Sequence, residues 1–394
     1  MDGHVRNPVG GCETVPVPDQ LTYLDHAATT PLRPEARAAM LPWLGERFGN
    51  PSGAHRVARA ARRAVDEARD VVAEVVGCRP GDVVFTSGGT EADNLAVRGV
   101  AAARPGHVLC SAVEHDAVLR PVELVGGRTV PVDGCGMVDL DALAALVDDD
   151  TTLVSVMVAN NEVGTVQPVD RVAEIVHGRA PQASVHTDAV QATAWLPLPD
   201  LLAGSDLVSV SSHKVGGPQG VGALVARPGT PLRAVALGGG QERELRSGTH
   251  DVAGIVGFAA ALAAVLADRA ATAARVRGLR DRLAAGLHAA VPGLIETAAG
   301  ADTLSGTLHV CLPGVESEAL LFLLDEEGVC ASAASACASG AQQASHVLAA
   351  MGVPADRSRG ALRLSLGWST TDHDVDHALR AIPAAVARLQ GVAA

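Results

Sequence analysis

Short apolar runs alternate with helical stretches along most of the chain, and this alternation restricts the fold more than any other feature. Residues 82–86, 107–111, 153–159, 184–187 and 207–211 are brief apolar runs that read as short buried strands. Helical stretches such as 169–178 lie between some of them. Residues 53–77 place Val57, Ala61, Val65, Ala68, Val72 and Val75 at helical spacing, with Arg, Asp and Glu between, which predicts an amphipathic helix. Strands separated by helices predict an α/β chain whose mostly parallel sheet is covered on both faces. Residues 251–291 form an Ala-rich helical stretch, expected to break near Gly278 and to bridge to a second region. In that region 307–312, 330–332 and 361–366 read as strands and 316–327 and 372–389 as helices, an α+β pattern. The apolar run 252–267 is too short to span a bilayer comfortably and reads as a core helix. Residues 1–20 read as a flexible leader without the apolar core of a signal peptide.

The 394 residues suffice for two domains and a large buried core. A formal net charge of -13 argues against nucleic acid or an anionic membrane as a general partner. With 2% aromatic residues, base-stacking platforms are not expected. The seven cysteines are odd in number and lack CxxC or zinc spacing, so neither a disulfide framework nor a metal site is expected, and a reducing cytoplasm fits.

Lysine usage is the sharpest compositional signal. Lys and Arg total 31, and Lys214 is the only lysine among them. Both side chains carry charge, but only the lysine amine can lose its proton and condense with an aldehyde. The competing reading is one surviving surface lysine.

Its neighbours weigh against that reading. Open α/β sheets bind ligands at the carboxyl ends of their strands. Ser87-Gly88-Gly89-Thr90 follows one strand and opens a helix, a backbone suited to an anion. Glycine turns of this kind are common, and no Gly-Lys-Ser/Thr follows. Asp188 and Gln191 follow another strand; the carboxylate could hold a pyridinium nitrogen protonated, or could simply cap a helix. Ser211-Ser212-His213-Lys214 follows a third. Together an anion loop, a carboxylate and a Ser-x-His-Lys cluster on strand ends point to pyridoxal 5′-phosphate (PLP).

Many further motifs stand in order: Asp25-His26-Ala27-Ala28-Thr29-Thr30, Gly49-Asn50-Pro51-Ser52, Glu114-His115, Asn160-Asn161-Glu162-Val163-Gly164, Arg246-Ser247-Gly248-Thr249, Ser335-Ala336-Cys337 and Leu362-Arg363-Leu364-Ser365. With them the chain resembles the cysteine desulfurases of the NifS/IscS type, in the class V aminotransferase group of fold type I PLP enzymes. The resemblance implies a large domain over residues 21–268, with a mostly parallel seven-stranded sheet between helices. It implies a smaller α+β domain over 269–394 that carries a catalytic cysteine. Lys214 would be the Schiff-base lysine and proton shuttle. His115 would stack on the cofactor ring and assist proton transfer. Asp188 would pair with the ring nitrogen, Gln191 with the ring hydroxyl, and Asn161 would sit near that hydroxyl and the substrate carboxylate. Gly89, Thr90, Ser211 and His213 would hold the phosphate, and Thr249 would reach the phosphate of a neighbouring subunit in a homodimer. Arg363 would grip the carboxylate of L-cysteine. Cys337 would attack the substrate sulfur and carry it as a persulfide to an acceptor protein. Cys330 is a weaker candidate for a resolving thiol.

The chain departs from the usual pattern at Ala58, Gly216, Ala334 and Ala344, which bears on loop motion and on the rate of sulfur delivery. Competing functions are another PLP reaction (selenocysteine lyase, β-lyase or aminotransferase), a weakly active sulfur-relay subunit, and a phosphate binder without PLP. The sulfur's destination stays open among iron–sulfur cluster assembly, tRNA or DNA thiolation and natural products.

Overall fold

The computed structural model describes residues 21–333 and 345–391. After β1 (Thr22–Tyr23), the chain builds a central sheet from β2 (Val83–Thr86), β3 (His107–Ser111), β4 (Arg128–Val130), β5 (Thr151–Ser155), β6 (Ser184–Asp188), β7 (Leu207–Ser211) and β8 (Gly222–Ala226). Their order is β2-β8-β7-β6-β5-β3-β4. The run from β7 to β4 is parallel, and β8 is antiparallel to both β7 and β2. The sheet is therefore seven-stranded and mostly parallel, and β2 points the same way as β7. The carboxyl ends of β2, β3, β5, β6 and β7 meet along one edge.

Period-two alternation divides the strand side chains between two cores. Val83, Phe85, Val154, Val208 and Val210 pack against Val65, Val72 and Val76 of the helix Arg56–Val76 and against Phe258 and Leu262. Val84, Val108, Leu153, Leu207 and Leu224 pack on the opposite face against Leu95 and Val100 of the helix Gly89–Ala103 and Val118 and Val122 of the helix Asp116–Leu124. The amphipathic helix expected over 53–77 spans Arg56–Val76. His55 caps its start by accepting from Ala58 N, and Gly77 ends it with φ 77°.

The helix Val252–Ala290 runs for 39 residues without the expected break. Gly278 lies inside it, where glycine costs about 1 kcal/mol relative to alanine. Packing on both sides overrides that cost. Ile255, Phe258, Leu262 and Val265 enter the core on the Arg56–Val76 face, here the first core, and Val276, Leu279, Leu283 and Leu287 enter a separate one, here the second core. By length and composition this helix could cross a membrane, yet 56% of its most apolar window is buried inside the protein.

Beyond it come β9 (Ile295–Glu296), β10 (Thr307–Cys311), β11 (Val329–Cys330) and β12 (Ala361–Ser365). Strands β12, β10 and β9 form an antiparallel sheet, and β11 pairs in parallel with β1. Leu308, Val310, Leu362 and Leu364 share the second core with Leu24 and with Val375 and Ile382 of the helix Asp372–Leu389. Cys78, Cys110, Cys135, Cys311 and Cys330 are free thiols.

Gly222 locks the loaded edge of the sheet. It pairs with Thr86 on one side and Ser211 on the other. A Cβ there would stand 2.7 Å from the Gly88 Cα and 2.7 Å from the Val210 carbonyl oxygen. Gly222→Ala is expected to cost about 1–3 kcal/mol through overpacking. Thermal unfolding should show a lowered midpoint; an unchanged midpoint would show that the loop over β8 has slack.

Candidate active site

The turn after β2 forms the first wall of the site. Gly88 takes φ 149° and caps the helix Gly89–Ala103 without lending a side chain. The first amides of a helix lack intrahelical acceptors and sit at the positive end of its dipole. Glu91 braces the turn, accepting from Ser87 N at 2.6 Å and from Arg246 Nε at 2.8 Å. At the end of β7 the Ser211 hydroxyl is buried without a partner among the described residues, 4.0 Å from where a Gly88 Cβ would stand. An orphaned hydroxyl facing a side-chain-free helix start makes an anion cradle.

One short turn after β7, Lys214 projects into the same cleft. Its Nζ donates to the carbonyls of Ala27 at 2.5 Å and Ala28 at 2.8 Å. Burial, aided by the charge of Arg363, lowers its pKa to about 8 against the opposing pull of Asp188 and Asp25. Burial, with Lys214 nearby, also lowers His213 to about 4, and its Nδ1 lies 3.2 Å from Thr29 Oγ1. Gly216, two residues beyond Lys214, has φ 84°, and a Cβ there would strike the Arg33 side chain at 2.6 Å. The glycine that departs from the family pattern is therefore required by this turn. Ala58, another departure, is fully buried at the start of its helix.

Asp188 ends β6. Its Oδ1 accepts from Val190 N at 2.8 Å, and burial raises its pKa against that N–H and the nearby His115 and Lys214. Gln191 Nε2 donates to the Ala27 carbonyl at 2.9 Å, the group that also receives Lys214. His115 caps the helix Asp116–Leu124, its Nδ1 accepting from Ala117 N at 3.1 Å. In the neutral ring the remaining proton then sits on Nε2.

The opposite wall comes from β12. Arg363 is 5% exposed and donates through Nη1 to the Asn161 carbonyl at 2.9 Å and through Nη2 to Asp25 Oδ1 at 2.7 Å. Ser332 exchanges backbone hydrogen bonds with Arg363 across the strand end. The walls enclose a cleft of about 490 Å³. Among the described residues, every site residue expected from the sequence lines it except Thr249 and the weaker candidate Cys330. Thr249 is exposed and outside the cleft. Cys337 lies outside the described residues, as do Ala334 and Ala344.

Sequence reasoning missed a layer of buried acids beneath the floor. Asp93 lines the cleft and is 1% exposed; burial, and Asp188 next, raise its pKa well above the carboxylate range. Glu114 is fully buried and raised likewise, with Oε1 accepting from Met157 N at 2.7 Å. His186 lies between the hydroxyls of Ser155, at 2.8 Å, and Ser209, at 3.0 Å, and burial drives it to about 3. An aspartate at 93 among Ala92, Leu95 and Ala96, all on a buried helix face, was the available signal.

Residues 22–378 match the family Aminotransferase class-V. An IscS-like cysteine desulfurase of Mycobacterium tuberculosis is 44% identical over 95% of this chain and 98% of its own. A solved NifS-like protein superposes with a TM-score of 0.87 at 37% identity, covering 94% of this chain and all of that one. A structure described as SspA in complex with cysteine gives 0.76 at 30% identity, over 89% of this chain and 100% of its own. The fold, the cleft and these full-length likenesses agree: the chain belongs to the class-V aminotransferase family, among the cysteine desulfurases of the NifS/IscS type.

Proposed function

We propose that the protein is a PLP-dependent cysteine desulfurase that converts L-cysteine to L-alanine and delivers sulfur as a persulfide on Cys337. One observation carries this reading. The chain's sole lysine amine, lowered to about 8, shares a cleft with an orphaned anion cradle and a buried carboxylate. That donor set fits a pyridine aldehyde bearing a phosphate. Gly89, Thr90, Ser211 and His213 would hold the phosphate, Asp188 the ring nitrogen, Gln191 and Asn161 the ring hydroxyl, and Lys214 the aldehyde carbon. When bound, PLP supplies an electron sink that weakens bonds at the substrate's α and β carbons.

The chain's own groups divide the remaining work. The Arg363 fork takes the substrate carboxylate. Lys214 Nζ accepts and returns the Cα proton, a task suited to an amine titrating near neutrality. His115, whose side chain lines the cleft, would serve as a second proton carrier. A cationic ring nitrogen would relieve the crowding of Asp188 with Asp93 and Glu114, because like charges in a dry site raise one another's pKa. Cys337 follows Ser332 by five residues, and Ser332 stands on the cleft wall beside Arg363. In the transfer the Cβ–S bond breaks, a sulfur–sulfur bond forms at Cys337, and Cβ takes up a proton, leaving alanine.

Thr249, exposed and outside its own cleft, is the residue proposed to reach the phosphate of a second copy in a homodimer. The unpaired cysteines favour a cytoplasmic setting, with a sulfur-acceptor protein as the receiving partner.

Cys337→Ala is expected to keep the yellow colour of bound PLP and to lose alanine formation from L-cysteine by orders of magnitude. Alanine release at the wild-type rate would favour a different PLP reaction. The apoprotein should capture PLP through the neutral Lys214 amine. Since the folded pKa is lowered, the neutral form gains population as pH rises towards 8 and saturates above it. The capture rate should climb roughly tenfold per pH unit below about 8 and then level off. A midpoint near that of a free lysine would contradict a buried amine.

A further inference from the structure

The small sheet presents two faces. Leu308, Val310, Leu362 and Leu364 point into the second core. His309 on β10 and Arg363 on β12 are direct cross-strand partners, so their side chains stand together on the other face. His309 is 1% exposed and Arg363 5%. Each keeps one buried nitrogen without a partner among the described residues, Nε2 in His309 and Nε in Arg363.

The two orphans are chemically complementary. All Arg363 nitrogens are donors, so whatever faces Nε has to accept. His309 Nδ1 lies 2.9 Å from Thr297 Oγ1, which lies 3.7 Å from Cys311 Sγ. One arrangement satisfies the whole chain: Nδ1–H donates to Thr297, the Thr297 hydroxyl donates to Cys311, and the Nε2 lone pair turns to Arg363. Burial, followed by the charge of Arg363, lowers His309 to about 3, so the ring stays neutral and keeps that lone pair. Buried polar atoms that lack a direct partner are commonly joined by one ordered water.

We propose that His309 is a positioning residue whose Nε2 lone pair, through one buried water, fixes Arg363 Nε–H and so aims the guanidinium at the substrate carboxylate. The proposal rests on the assignment of Arg363 to that carboxylate. Asn161 and Asp25 hold the two outer nitrogens. The His309 tether would supply the third point that stops the fork from pivoting.

The test compares His309→Leu, which fills the space without an acceptor, with His309→Gln, whose carbonyl oxygen reaches the place of Nε2. Both are measured as PLP-loaded enzyme for KM and kcat with L-cysteine, and for binding of L-alanine, which carries the same carboxylate, by visible absorbance. His309→Leu is expected to raise KM and to weaken L-alanine about tenfold, the worth of one hydrogen bond to a charged group. The kcat should stay within about threefold, and His309→Gln should stay within about threefold of wild type throughout. An unchanged KM in His309→Leu, or a Gln variant as impaired as the Leu variant, overturns the proposal. If the Leu variant fails to fold, Thr297→Val serves. It removes the acceptor that sets the tautomer and should raise KM a few fold, while an unchanged KM overturns the proposal. Wild-type enzyme that forms no alanine from L-cysteine would sink the desulfurase reading alone, because the L-alanine titration still decides the role of His309.

Discussion

Burial of a single amine governs this site. Lys214 sits where the carbonyls of Ala27 and Ala28 receive its protons, while removal from water and the charge of Arg363 favour losing one. Asp188 and Asp25 pull the other way without restoring the value of a free lysine. The balance leaves an amine that can be either neutral or charged near physiological pH, which an arginine in the same place could not be. The surrounding structure serves to hold it there. The glycine turn at Gly216 allows close approach to Arg33, and the carbonyl that anchors Lys214 also anchors Gln191.

A second constraint is that the site belongs to two cores. Lys214, Asp188, Ser211 and the Gly88 turn ride on the edge of the central sheet, whereas Arg363 rides on β12 of the small antiparallel sheet and Ser332 bridges to it. The helix Val252–Ala290 packs in both cores, and Leu24, beside the Asp25 that grips Arg363, packs in the second. The Lys214 amine and the Arg363 guanidinium are thus carried by different hydrophobic units and joined through short polar contacts.

Much of this was legible in the chain because it is local. The strands at 107–111 and 207–211 and the helix at 372–389 have the limits their apolar patterns predict. Strand-end polar residues fell into one cleft because parallel strands place their carboxyl ends together. β4 is three residues long with two of them exposed, so it offers no apolar run, and β8 starts on a glycine and carries two alanines among five residues. The break expected at Gly278 failed because packing on both sides outweighs one glycine. Asp93, the grip of Asp25 on Arg363 and the opposition of His309 to Arg363 all depend on pairings between distant segments. Spacing along the chain does not encode such pairings.

One covalent link, between Lys214 and the aldehyde of PLP, decides the function, and sodium borohydride tests it most directly. Reduction of PLP-loaded protein, digestion and mass mapping should place the pyridoxyl label on the peptide containing Lys214, with no label retained by Lys214→Ala. A protein that binds PLP but leaves the Lys214 peptide unmodified after reduction would contradict the account.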